Sequence, residues 1–255
     1  MEKLTLIKVG GQIVEEPETL NALLKDFSAL NGKKVLVHGG GRAATRIASQ
    51  LGIESKMING RRVTDTDMLN VVTMVYGGLV NKKIVSGLQA LGINALGLTG
   101  ADMNYMRSDK RPVKEVDYGF VGDVKEVNSD ILADLIEKNV VPVLAPLTHD
   151  GNGNMLNTNA DTIAAEAAKA LAKHFDVTLM FCFEKKGVLR NAEDEESVIE
   201  TISKKDFIEY VNDGIIQGGM IPKLENAFDA IDNGVSQVVI TRADQFGKNT
   251  GTIVK

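Results

Sequence analysis

Three glycine clusters in this chain stand beside cations: Lys8-Val9-Gly10-Gly11, His38-Gly39-Gly40-Gly41-Arg42, and Gly218-Gly219-Met220-Ile221-Pro222-Lys223. Glycine lets backbone N–H groups approach an anion with no Cβ in the way. A helix that follows adds its positive end. One such cluster is ordinary turn punctuation. Three of them, two with a lysine built in, point to phosphate. Lys8 closes an apolar run, where it is either a snorkelling surface lysine or a phosphate contact. Lys223 sits near a helix start, where a cation opposes the helix dipole. Arg62, in Asn59-Gly60-Arg61-Arg62-Val63-Thr64, suits a two-pronged grip on a carboxylate, or else a surface ion pair. Asn157-Thr158-Asn159-Ala160-Asp161 leads into a helix. Asn159 can cap that helix, which leaves the other polar residues to be explained.

Several chemistries are excluded by what is missing. Gly39-Gly40-Gly41-Arg42-Ala43-Ala44 fits a dinucleotide fingerprint, but Glu54 comes too early to be its acidic partner. An HGGG oxyanion loop needs a G-x-S-x-G elbow, and the chain has none. No G-x-x-x-x-G-K-[ST] sequence occurs. His38, His149 and His174 have no ligand spacing, and no resident metal site is expected. A reaction whose nucleophile is already an anion needs no general base. A glutamate side-chain carboxylate, with a pKa of about 4.3, is such a nucleophile. The catalyst then needs alignment and positive charge around a moving phosphoryl group.

These residues need a scaffold, and the pattern supplies one. Short apolar runs alternate with amphipathic stretches. Strands are expected at Leu4–Val9, Lys34–His38, Asn94–Leu98, Val140–Ala145, Val177–Phe183 and Gln237–Thr241, and helices at Glu16–Leu30, Arg42–Leu51, Asn159–Lys173 and Gly219–Asn233. Ser129 is a candidate cap for a further helix, and Ser203 with Asp206 forms a capping box. Alternation of this kind implies an α/β fold with a mostly parallel sheet and helices on both faces. Lys110–Val127 and His149–Asn157 break the rhythm and read as hairpins that could act as lids. A length of 255 residues accommodates two coupled lobes. The net charge of -5 leaves no cationic excess for a nucleic-acid partner. The absence of a spanning-length apolar run implies no membrane partner, and no signal-peptide pattern precedes the first strand. The single cysteine, Cys182, lies in an apolar run and reads as an inert core thiol in a cytoplasmic protein.

In this order, KVGG, HGGGR, NGRRVTD, YGFVGDV, LNTNADTIA and GGMIPKLENA resemble the N-acetylglutamate kinases of the amino acid kinase superfamily, over nearly the whole chain. The resemblance implies a three-layer sandwich, the amino acid kinase fold, with an acyl-amino-acid lobe at 1–175 and an ATP lobe at 176–255. It implies ATP-dependent phosphorylation of the side-chain carboxylate of an N-acyl-L-glutamate, a step of arginine biosynthesis, with Mg2+ held mainly by ATP phosphates. Lys8 and Lys223 would stabilise the transferred group, and Asp161 would hold them. Gly40 and Gly41 would be donors on the substrate side, with Arg62 and Asn157 gripping the acyl-glutamate. Gly10, Gly11 and Gly219 would line the phosphates, and Glu184 and Gly187 the nucleotide. Two departures stand out: Phe183-Glu184-Lys185-Lys186-Gly187 where the family has Ser/Thr-Asp-x-x-Gly, and Gly100-Ala101-Asp102-Met103 where it has Gly-x-Asp-Gly. The alternatives are a kinase for another carboxylate or carbamate, and a non-catalytic metabolite sensor. Arginine-inhibited members carry an extra N-terminal helix, whereas only Met1–Lys3 precede the first strand here. The expectation is therefore a homodimer, formed by the Met68–Val80 surface, that arginine does not inhibit.

Overall fold

The computed structural model describes residues 1–58, 60–245 and 250–255; Asn59 of the NGRRVTD segment lies outside them. Its centre is an eight-stranded sheet whose members are β1 (Lys3–Val9), β2 (Lys33–His38), β5 (Ala95–Leu98), β8 (Val141–Leu144), β11 (Asp176–Phe183), β12 (Thr201–Ile202), β13 (Gln237–Arg242) and β14 (Thr252–Val254). Their spatial order is β12-β14-β13-β11-β1-β2-β8-β5. All neighbours are parallel except β13 and β14. β12 and β14 are short strands that the apolar pattern does not reveal.

Side-chain alternation along each strand divides the core in two. Leu4 and Leu6 of β1 and Val35 and Val37 of β2 face one side with α6 (Ser129–Glu137), α7 (Ala160–Leu171), α8 (Lys204–Asn212) and α9 (Met220–Asp232). Ile7, Val9 and Leu36 face the other. There lie α1 (Gly11–Glu15), α2 (Pro17–Ala29), α3 (Gly41–Gln50), α4 (Thr66–Val72) and α5 (Asn81–Ala90). By the same period, Lys8 shares a face with Leu4 and Leu6, and His38 shares one with Leu36.

The two expected hairpins are one structure. β6 (Met106–Lys110) pairs with β7 (Gly122–Val127), and β9 (Leu147–His149) with β10 (Met155–Asn157). A β6–β9 pairing joins them as a four-stranded sheet. The small ribbon β3 (Met57–Ile58) and β4 (Arg61–Arg62) completes the set.

Two expectations need correction. Ser129 is the first residue of α6 rather than its cap, which is Asn128; its hydroxyl instead meets His174 Nε2 at 3.1 Å. The Met68–Val80 stretch is not one surface-forming α-helix. Thr73–Val80 is π-helical, and Met68, Val72 and Val75 are spent on the protein's own core. Met74 and Leu79 remain exposed. The Ser203–Asp206 capping box and the Asn159 cap of α7 are present as read. Among the described residues, no helix is long and apolar enough to cross a membrane.

Candidate active site

The site begins where β1 and β2 end. The strands are in register, with Val9 opposite His38, so their glycine turns emerge side by side. The turns touch. A Cβ on Gly39 would stand 2.9 Å from the Gly11 nitrogen, and one on Gly11 would stand 3.1 Å from the Gly40 nitrogen and 3.3 Å from that of Gly41. Only glycine permits this approach, which gathers backbone amides from both turns ahead of α1 and α3. Glu15 at the end of α1 accepts from the Ala43 amide at 2.6 Å, which satisfies one exposed donor in the first turn of α3.

Alternation aims Lys8 at the face that carries α7 and α9, and those helices supply its partners. Asp161 Oδ1 lies 2.7 Å from Lys8 Nζ, and Asp161 Oδ2 accepts from Lys223 Nζ at 3.0 Å. The three side chains are 12%, 20% and 17% exposed for Lys8, Asp161 and Lys223, which rules out a snorkelling surface lysine at either end. The Lys8 contact is a close, largely buried ion pair. Burial alone would raise the Asp161 carboxyl. The ammonium groups, Lys8 first and then Lys223, overcome it and hold the group at about 2. Lys223 Nζ also lies over the rings of Phe181 and Phe183, at 5.8 and 5.4 Å. Two cations are thereby held close together by one ionised carboxylate, an arrangement suited to an anion that carries more than one negative charge.

Beside the turns lies a cavity of about 180 Å³ that brings together Gly40, Gly41, Arg62 and Asn157. Arg62 is buried and has no acidic partner among the described residues, so the surface ion-pair reading fails. Its Nη2 donates to the Gly41 carbonyl at 2.8 Å and to Thr45 Oγ1 at 2.9 Å, while Nη1 meets Ser55 Oγ. Asn157 donates to Thr64 Oγ1 at 2.9 Å. Tyr76, Arg61 and Asn159 also line this cavity, and the motifs did not single them out as binding residues. Tyr76 comes from the π-helical segment. Its ring packs against Gly40, where a Cβ would come within 2.9 Å. Its phenol is pushed up by burial. A π-helical register has no recognisable sequence pattern, so Tyr76 could be read only as one more core aromatic.

The remaining expected residues separate. Glu184 is exposed, lies 3.5 Å from Arg42, and lines a 240 Å³ cavity with Gly10, Gly11 and Phe183. Gly187 borders a different cavity of about 480 Å³, where Val188, Leu189, Ile215 and Met220 give an apolar wall with polar groups at its margin. That composition is common to small-molecule pockets. Gly219 caps α9, with open space where a Cβ would project. Cys182 is buried, and burial pushes its thiol up to about 12, as expected for an inert core residue.

Comparison with known proteins agrees with this geometry. The model of the amino acid kinase family matches residues 3–242. An acetylglutamate kinase of Parabacteroides distasonis is 74% identical over 254 residues, covering 100% of both chains. That of Bacteroides thetaiotaomicron is 71% identical, covering 100% of this chain and 99% of its own. Among solved structures, the smu.665 protein of Streptococcus mutans is 32% identical with a TM-score of 0.82, over 99% of this chain and 98% of its own. With a shared fold, nearly full-length identity and paired lysines on one carboxylate, the chain belongs to the amino acid kinase family and, within it, to the acetylglutamate kinases.

Proposed function

We propose that this protein phosphorylates the side-chain carboxylate of N-acetyl-L-glutamate with ATP, forming an acyl phosphate for arginine biosynthesis. The observation that carries the reading is the convergence of Lys8 and Lys223 on Asp161 beside the paired glycine turns. The relatives' shared name supplies the substrate. Arg62 and Asn157 hold the acyl-glutamate, with Gly40 and Gly41 donating from the turn between them and the phosphates. Gly10, Gly11 and Gly219 serve the ATP phosphates, Glu184 their outer edge, and the cavity at Gly187 the base. Residues 1–175 then form the acyl-amino-acid lobe and 176–255 the ATP lobe.

The substrate carboxylate attacks the γ-phosphorus as the bond to the β-phosphate oxygen breaks, and ADP leaves. No proton needs to be removed, because the nucleophile is ionised at neutral pH. Lys8 and Lys223 meet the charge that spreads over the moving phosphoryl oxygens. Asp161 fixes their separation and remains ionised itself. Mg2+ would arrive with ATP and neutralise phosphate charge; Asp161, the carboxylate between the two lysines, is already committed to them. The enzyme is a cytoplasmic homodimer in this reading, and the exposed Met74 and Leu79 support an apolar contact. Trapping the product with hydroxylamine tests the assignment. An ATP-dependent hydroxamate should form from N-acetylglutamate and not from glutamate or aspartate; no hydroxamate from N-acetylglutamate would refute it.

A further inference from the structure

Directly before the second glycine turn, a polar pair is buried where the core would otherwise be apolar. His38 is fully buried on the face of β2 that meets α5, and Asn81, at the start of α5, is buried against it. Asn81 Nδ2 stands 3.1 Å from His38 Nε2 and donates to the Val143 carbonyl at 2.9 Å. Asn81 Oδ1 accepts from Lys82 Nζ at 3.1 Å. On its other side, His38 Nδ1 lies 2.8 Å from the Gly39 carbonyl.

These contacts assign every proton. The Asn81 nitrogen must be the amide atom that faces Val143, because a carbonyl there accepts only. A nitrogen that only donates makes His38 Nε2 the acceptor. The imidazole hydrogen is then on Nδ1, where it donates to Gly39. Lys82 is the charged group that faces this pair; together with burial it keeps the ring neutral.

Gly39 is held at three points. Its amide donates to the Val9 carbonyl at 3.0 Å, its Cα lies against Gly11, and its carbonyl accepts a hydrogen bond from His38 Nδ1. The Gly39 carbonyl belongs to the same peptide plane as the Gly40 amide, so fixing one fixes the other. We propose that His38, oriented by Asn81, is a positioning residue that sets the Gly39–Gly40 peptide plane and thereby aims the turn's amides at the transferred phosphoryl group. The pair needs no contact with substrate to act in this way. The inference rests on the kinase reading for what the amides bind, but not for the tautomer or the peptide orientation.

Two substitutions separate positioning from packing. In His38→Asn the side-chain amide nitrogen takes the place of Nδ1 and retains a donor for Gly39, at the cost of volume. In His38→Gln the amide reaches the place of Nε2, so volume and the Asn81 contact are better kept but the Gly39 donor is lost. His38→Gln should lower kcat about ten- to a hundredfold, with little change in KM for either substrate. His38→Asn should keep the larger share of kcat although it is the less stable protein in thermal melts. Glycine amide resonances of the turn should move more in His38→Gln. Long-range 1H–15N spectra of the wild-type imidazole should show a neutral ring with hydrogen on Nδ1. Loss of kcat in proportion to loss of stability in both variants, or a wild-type ring protonated on Nε2, would overturn the proposal. A wild-type protein with no kinase activity would instead overturn the functional reading, and the spectra would still decide the orientation of the turn.

Discussion

At the scale of single residues, the site is an electrostatic device made from few parts. Lys223 is held by Asp161 and by two aromatic faces, so its charge is placed before any ligand arrives. Removing such a preorganised contact costs about 3–4 kcal/mol in the transition state. Lys223→Ala is expected to reduce kcat by about 10²–10³ while KM moves much less, and steady-state kinetics would expose a mistake as near-normal turnover. Arg62 already spends donors on Gly41, Thr45 and Ser55, which locks its plane. Lysine cannot reproduce that fork. Arg62→Lys should therefore raise KM for N-acetylglutamate and leave KM for ATP nearly unchanged; equal weakening of both would make Arg62 structural. His38 gives a pH signature. Burial first, and then Lys82, lowers its pKa from 6.5 to about 4 against the opposing effect of the Gly39 contact. The neutral ring is thus favoured in the folded protein, with its contribution fully present above pH 6.5 and lost as pH falls toward 4. The loss is on the order of 3 kcal/mol at about 1.4 kcal/mol per pH unit. Urea unfolding at pH 7 and pH 4.5 measures it, and His38→Asn should flatten this part of the pH dependence.

At the scale of elements, the joins carry the geometry. Thr64 follows the strand that holds Arg62. It accepts from the Phe120 amide at 2.7 Å and donates its own amide to Tyr118 at 2.9 Å. The YGFVGDV segment is thereby stitched to the cavity that holds Arg62 and Asn157. Gly119 makes this possible with φ +71 and no room for a side chain, since a Cβ would stand 2.2 Å from the Thr64 carbonyl. Gly119→Ala should undo the stitch, with a loss of about 1–3 kcal/mol of stability and a raised KM for N-acetylglutamate. A variant with wild-type melting and wild-type KM would show that the contact is dispensable. Lys34 performs a similar join elsewhere. It sits at the start of β2 and donates to the carbonyls of Phe27, Ser28 and Leu30, closing the C-terminal end of α2. Its alternation within an apolar strand gave no hint of this, because the partner carbonyls belong to the preceding helix.

At the scale of the molecule, two cores share one sheet, and the glycine turns leave that sheet together at its carboxyl edge, where open α/β folds bind ligands. The apolar side chains left over on the outside bear on assembly. Met74 is 55% exposed and Leu79 41% exposed, although both lie in an otherwise apolar helix. In a two-fold dimer, each would meet its counterpart or a neighbour of it. Leu79→Glu should shift light scattering from the mass of a dimer toward that of a monomer, with the circular dichroism of the fold unchanged. A wild-type monomer would refute the dimer, and a dimer indifferent to this charge would move the interface elsewhere.

The linear sequence determined most of the central strands and the helices packed on them, because their signals are local. Short apolar runs and helical spacing marked the central strands and helices, while Asn159 and Ser203 announced their own caps. It also determined the residue types at the site, since glycine turns beside lysines leave few other chemistries. It could not decide which residues meet. Lys8, Asp161 and Lys223 come together only because alternation points Lys8 at one face and the crossovers lay α7 and α9 on that same face. The joined β6–β9 sheet, the closing strands β12 and β14, and Tyr76 in its π-helical turn were illegible for the same reason. Pairing partners and helix register are settled by long-range packing, which no local period records. The protonation of His38 depends on Asn81 and Val143, brought from elsewhere in the chain, and only the folded protein assigns it.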